Sequence, residues 1–290
     1  MPIFHVQNQK AKQVYSDLGY FKNEAALRDF FAENLEELLG MRFLEKEYPT
    51  NDGRMDTIAL DETNSPVIIE YKWGEDNAIF TQGLFYFDWL KNNKKHFNLL
   101  VEHKLGKNIK VNWDHPRVIL LAQGFDKRTK IAVQQVTYVE LIRYVTYKDN
   151  ILYLETVYSP NNKKLSVVSK KNEVNSKDYD IDYHLGRVDE PVKKTFYNLQ
   201  EKIKALPDVE EVVNQKTGIT YRTTKSFVRF EFGKSYMKVL VREPRYQDPD
   251  NLVKDITTHM WGYKGLIKIK STDMVEKVFE IVKQSYEETI

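Results

Sequence analysis

Apolar residues recur at helical spacing through NEAALRDFFAENLEELLG (23–40), where Ala26, Leu27, Phe30, Phe31, Leu35 and Leu38 fall near one face together with Asn34. Asn23 suits the start of this helix and Gly40 its stop. The pattern then shortens to that of strands. MRFLEKEYP (41–49) and MDTIALD (55–61) are separated by the turn residues Asn51, Asp52 and Gly53, and ETNSP (62–66) leads into the β-branched run VIIEYKW (67–73). Helical spacing returns over 76–93, where Ile79, Gln82, Tyr86 and Trp89 share a face. A shorter helix is expected over 94–105, a buried strand over 116–125, and a further helix then a strand around IAVQQVTYVELI. RYVTYKDNILYLETVY (143–158) reads as a hairpin turning at Lys148, Asp149 and Asn150.

Residues 159–180 hold few large apolar side chains and are rich in Lys, Asn and Ser, which predicts a linker over 161–180. Beyond it the pattern restarts with an amphipathic helix (192–206), three short antiparallel strands within 219–244 with a turn at Gly233–Ser235, a strand at 265–270 and a terminal helix over 271–288 capped by Ser271 or Thr272. The expected fold class is α/β, with a mixed central sheet flanked by helices in residues 1–160 and a second α+β domain in residues 181–290.

Composition narrows the chemistry. The 290 residues contain no cysteine, which excludes disulfides, thiolate catalysis and Cys-based zinc sites and fits a cytoplasmic location. No signal-peptide core and no apolar run of membrane-spanning length is present, so no membrane association is expected. Net charge is only +2, divided as −2 over residues 1–160 and +4 over 161–290. Neither half has the basic excess of a protein that holds nucleic acid by bulk charge. Near the candidate centre the basic residues are Arg28, Arg42 and Arg54.

That centre lies in GRMDTIALDETNSPVIIEYKWG (53–74). Asp56 is near the start of one strand, and Glu70 and Lys72 end the next. Residues two apart in a strand point the same way, so Glu70 and Lys72 continue the face of Ile68. A carboxylate and an ammonium there are costly unless paired or bound to an ion. The tight connection through 61–66 brings Asp56 beside Glu70. Two carboxylates can hold Mg²⁺ or Mn²⁺, which activates water and neutralises phosphate. Lys72 would orient or deprotonate that water, or stabilise the pentavalent phosphorus. On the plainer reading, Asp56 is a turn residue and Glu70–Lys72 a solvated edge pair.

An acidic residue followed by E-x-K on the next strand resembles the PD-(D/E)XK nuclease superfamily, here as Asp56 and Glu70-Tyr71-Lys72. The likeness is nearer to its NucS-type and RecB-like branch. An upstream helical Glu is matched by Glu24, G-R-x-D by Gly53–Asp56, and Q-x-x-x-Y by Gln82 and Tyr86. Residues 20–92 carry the resemblance. It implies a restriction-endonuclease-like fold, catalysis by Asp56, Glu70, Lys72, Glu24 and Gln82, and a metal held by Asp56, Glu70 and Tyr71. NucS proteins carry a DNA-binding domain ahead of the nuclease domain that this sequence does not show, so their substrate preference is not transferred.

Nucleic-acid contacts are assigned to Arg54, Tyr86 and Trp73, the last by stacking on a base, although Tyr86 suits the core equally, Trp73 suits a packing role better and Glu24 suits an ordinary helix N-terminus equally. The function expected is a metal-dependent endonuclease, with DNA ahead of RNA as partner. The alternatives are a nuclease fold that binds nucleic acid or a ligand without cutting, and a scaffold for partner proteins. Homodimerisation is left open. The C-terminal part resembles a domain of unknown function found after such nucleases and sometimes labelled a predicted transport protein. Its Lys225, Arg229, Lys234 and Lys238, among Tyr221, Phe227 and Tyr236, suit either a nucleic-acid surface or an ordinary half-exposed sheet.

Overall fold

A computed structural model describes residues 2–51, 53–74, 78–160, 179–213, 215–258 and 261–290. It divides into two compact units, Met1–Leu38 with Arg42–Pro160 and Leu39–Met41 with Asn161–Ile290. The expected linker falls, apart from its last two residues, outside the described residues, as do Asp52 of the expected turn and residues 76–77 of the expected helix.

The first unit begins with a hairpin that the hydrophobic pattern does not announce, β1 (Ile3–Gln7) and β2 (Lys10–Val14), whose side chains are mostly exposed. The helix expected over 23–40 is two helices, α1 (Glu24–Glu33) and α2 (Leu35–Leu39). Asn23 does cap α1, its side chain accepting from the Ala26 N–H. The break is at Asn34, whose Nδ2 donates to the Phe30 carbonyl. An asparagine that turns back on its own helix in this way favours termination over continuation.

A six-stranded sheet follows in the order β3-β4-β5-β6-β7-β8. β3 (Arg42–Thr50), β4 (Gly53–Leu60) and β5 (Pro66–Lys72) form an antiparallel meander. The chain then crosses through α3 (Ile79–Asn92) and α4 (Lys94–Leu105) to β6 (Arg117–Ala122), parallel to β5. α5 (Lys127–Ala132) leads to β7 (Val139–Tyr147), parallel to β6, and β8 (Ile151–Tyr158) closes the sheet antiparallel. The class is thus α/β with a mixed sheet. Helices cover both faces. Ile68 packs with Ile79, Phe87 and Leu90 of α3, whereas Tyr71 meets Phe31 of α1 with ring centroids 5.7 Å apart. Buried on both sides, β5 and β6 are near-continuous apolar runs, as central parallel strands require.

Gly83 sets how closely α3 approaches the sheet. A Cβ there would lie 2.8 Å from Leu120 Cδ2 and 3.0 Å from Val118 Cγ1, and both side chains are fully buried. Gly83→Ala should gain roughly 0.8–1.0 kcal/mol of helix propensity yet lose about 1–3 kcal/mol to overpacking. The expected result is a lower midpoint of chemical denaturation; a raised midpoint would show that the sheet yields.

The second unit comprises α6 (Ile181–Leu185), α7 (Glu190–Lys204), a six-stranded antiparallel sheet and α8 (Val275–Glu287). Its strands are β9 (Glu210–Val212), β10 (Ile219–Arg222), β11 (Ser226–Phe232), β12 (Met237–Val241), β13 (Lys254–Asp255) and β14 (Gly265–Ile269), in the order β13-β14-β12-β11-β10-β9. Phe196 and Leu199 of α7 and Val278 and Val282 of α8 share one core with the sheet. The unit is α+β. Neither Ser271 nor Thr272 caps α8, which starts after Met274 without a side-chain cap; the Ser271 hydroxyl bonds Asp273 instead. Among the described residues no helix is long and apolar enough to cross a membrane.

The candidate acidic site

The site is built where β4 and β5 part. In β3 and β4, Lys46 pairs with Thr57 and Tyr48 with Met55, leaving Glu47 opposite Asp56. Tyr48 and Met55 pack with the cluster of Ile58 and Leu60, although strict alternation puts Met55 on the other face from Ile58. The switch of face is accompanied by a positive φ of 52° at Glu47. A non-glycine residue held there costs on the order of 1–3 kcal/mol, the kind of strain that concentrates at functional sites. Asp56 is thereby placed to bond sideways to β5. Its N–H donates to Glu70 Oε1 at 3.2 Å, and its Oδ2 accepts from the Tyr71 N–H at 3.0 Å.

Glu70 is only 2% exposed. Burial pushes its carboxyl well above the usual carboxylate range, and the facing Asp56 charge adds to the rise, against the pull of the Asp56 N–H and Lys72. Asp56 is raised as well, first by burial; the Tyr71 N–H, Lys72 and Arg28 oppose the shift and Glu24 adds to it. Lys72 is held by the first residue of α1, its Nζ donating to Glu24 Oε1 at 3.0 Å. The Trp73 N–H reaches the other Glu24 oxygen at 3.5 Å. The structure therefore brings together Glu24, Asp56, Glu70 and Lys72.

The remaining assigned residues divide. Tyr71 turns its side chain into the core on the face of Phe31, so what it could offer a metal is its backbone carbonyl. Gln82 is half-buried on the side of α3 that carries Tyr86, one turn on, and among the described residues its buried Oε1 has no hydrogen-bond partner. Tyr86 is buried, and a Cβ at Gly53 would lie 2.8 Å from its hydroxyl. Its place is under the start of β4, with the ring packed into the core. A side chain at position 53 would therefore collide with the tyrosine. Trp73 is exposed, and so is Arg54, which pairs with Glu47 at 3.4 Å.

Arg42 lies at the other end of β3, bonded to Asn64, and is no part of the site. Arg28 is the residue whose importance sequence reasoning understated. One helical turn after Glu24, its guanidinium is largely buried and pairs with Glu47 at 3.2 Å. The signal available was its i, i+4 spacing from Glu24 on α1.

A divalent cation fits what these residues present. Two carboxylates face each other in a desolvated place, and the nearest ammonium is engaged by a third carboxylate. Among the described residues no three His, Asp or Glu side chains form a ready-made cage. A pair of carboxylates supplemented by water is the mode Mg²⁺ accepts.

In the second unit, Tyr221 and Phe227 are core residues, and the Tyr221 hydroxyl donates to Glu211 at 2.6 Å. Lys225 is buried, and the buried Arg229 is bonded to Gln215, Thr217 and Thr220. The basic and aromatic residues of these strands thus do not form one exposed surface, which favours the ordinary-sheet reading.

No family model matches the chain. It is 26% identical over 287 residues to an uncharacterized protein of Haemophilus influenzae, covering 91% of this chain and 93% of that one. Among solved structures it is similar to a repair endonuclease from Pyrococcus abyssi, at 19% identity and a TM-score of 0.26, over 40% of this chain and 43% of the other. It is also similar to the EndoMS–dsDNA2 complex, at 14% identity and a TM-score of 0.27, over 48% of this chain and 62% of that one. The chain thus spans less than two thirds of either structure.

Proposed function

We propose that the first unit is a divalent-metal-dependent nuclease that hydrolyses phosphodiester bonds, with DNA as substrate and internal cleavage as its mode. The observation that carries this reading is the assembly of Asp56, Glu70, Lys72 and Glu24 at one point, with Glu70 desolvated and Lys72 held by Glu24. Such a grouping is costly in a merely structural place.

Asp56, Glu70 and the Tyr71 carbonyl would hold Mg²⁺ or Mn²⁺. Bound there, the ion lowers the pKa of a coordinated water and offsets charge on the phosphate. The protein supplies the rest. Glu24 keeps Lys72 pointed by accepting from its Nζ. Lys72 then orients the attacking water or neutralises charge building on the phosphorus oxygens. Gln82 offers a buried acceptor with no partner among the described residues, suited to a water or to a donor on the substrate.

The alternative is a non-cutting binder on the same fold, and the net charge of −2 over residues 1–160 favours a partner other than nucleic acid, as a ligand binder or scaffold would have. One assay separates the two readings. Incubated with supercoiled plasmid and with single strands in Mg²⁺ or Mn²⁺, the chain should nick and cut, and a chelator should stop it. Binding of nucleic acid without cleavage in either metal would establish the second reading; neither binding nor cleavage would leave a ligand binder or scaffold.

A further inference from the structure

We infer that Arg28 and Arg54 form a subsite for a backbone phosphate beside the scissile one, and that Glu47 occupies it in the nucleic-acid-free protein. The inference rests on the nuclease reading and adds a second anion site and a built-in competitor for it. Both guanidinium groups converge on a single oxygen, Glu47 Oε1, from Arg28 Nη1 at 3.2 Å and from Arg54 Nη1 at 3.4 Å. They come from different elements, α1 and the start of β4. A guanidinium fork that accepts a carboxylate accepts a phosphate by the same geometry.

The three side chains are graded in exposure. Arg28 is 13% exposed, Glu47 40% and Arg54 66%, so the carboxylate sits at the open side with the buried guanidinium behind it. The cradle adjoins the reaction centre: Glu47 stands opposite Asp56 in the ladder, Arg54 precedes Asp56 by two residues, and the Arg28 charge acts on Asp56. Arg28 also keeps a second partner, Asp29 Oδ1 at 3.4 Å, which Lys46 shares at 2.9 Å. Releasing Glu47 therefore does not leave Arg28 stranded. Glu47 itself is held at a φ of 52°, where a glutamate gains nothing from its backbone.

Binding of a fluorescein-labelled duplex oligonucleotide, followed by anisotropy in Ca²⁺ with the full chain, tests this. Glu47→Gln should tighten binding by about fivefold to tenfold, more than loss of a remote charge would. Glu45→Gln is the control. Glu45 lies two residues away on the same strand, but its carboxylate pairs with Lys104 of α4 at 2.7 Å, and its removal should change binding by less than about twofold. In an Arg28→Gln background the Glu47→Gln gain should vanish, because the two residues act as one unit.

Should Glu47→Gln melt early, Glu47→Asp withdraws the carboxylate by one methylene and suits a positive φ better; it should still tighten binding. No gain in either variant, a gain equal to that of Glu45→Gln, or a gain that persists without Arg28 overturns the subsite while a parent that binds keeps the nuclease reading. Failure of the parent itself to bind or cut nucleic acid overturns both.

Discussion

Lys72→Ala is expected to slow cleavage by roughly 10²–10⁴-fold, the usual contribution of a positioned acid, base or charge stabiliser, while divalent binding survives. The reason lies in how the lysine is held. Its side chain is 15% exposed and its Nζ lies 3.0 Å from Glu24, so it arrives pre-positioned. Removing it leaves Glu24, Asp56 and Glu70 without their ammonium, and a site that is more negative attracts a cation at least as well. Titration calorimetry with Mn²⁺ and a plasmid-nicking rate measured on the same preparation separate the two effects. Glu24→Gln should cost less, about tenfold, because Lys72 remains but is no longer fixed. A Lys72→Ala protein that nicks as fast as the parent would sink the mechanism. Loss of Mn²⁺ binding in that variant would instead make the lysine a structural keystone of the site.

Glu70→Gln should abolish metal binding and reduce cleavage by on the order of 10³-fold, yet make the metal-free protein more stable. The substituted amide keeps an oxygen to accept from the Asp56 N–H but carries no charge into a place where burial and Asp56 both oppose one. The gain expected from removing a poorly compensated buried charge is about 1–3 kcal/mol. The sign of the pH dependence follows from linkage. A carboxyl whose folded pKa is raised binds its proton more tightly in the folded state than in the unfolded chain. Its stabilising contribution is complete below the unfolded value and is lost as pH rises through the folded one. The metal-free parent should therefore gain stability from this group as pH falls from neutrality toward the ordinary carboxylate range. The Glu70→Gln variant should lack that gain, and saturating Mg²⁺ should remove it from the parent by holding the ionised form. Thermal melts across pH, with and without Mg²⁺, read all three. A parent and a Glu70→Gln variant with the same metal-free melting temperature and the same slope would show that Glu70 is not strained by its site.

Helix-flanked sheet and E-x-K were legible in the sequence because they rest on local periods. Alternation with period two, through VIIEYKW, states that Glu70 and Lys72 leave the core face together, and the structure has them at the end of β5. The short turn after Asp61 states that β4 and β5 are antiparallel, which puts Asp56 beside Glu70. The cap at Asn23 is likewise a three-residue matter, and it starts α1 with Glu24. These statements need no knowledge of distant residues.

What the sequence left undetermined depends on contacts between elements far apart in the chain. That Lys72 points at Glu24 rather than at solvent is decided by the packing of α1 on the sheet, 48 residues away in sequence. Tyr86 read equally well as a core or a site residue, and its burial close to Gly53 depends on how α3 packs under β4. Nothing local marks Glu47 as the place where β3 switches face, because a glutamate at positive φ is the opposite of what propensity predicts. The break of the first helix at Asn34 and the exposed β1–β2 hairpin belong to the same class. Periodicity reports which face a residue occupies along its own element. It carries no information on which element meets that face, and that pairing, fixed by tertiary packing, decides that a buried glutamate stands beside an aspartate and that two arginines converge on one carboxylate.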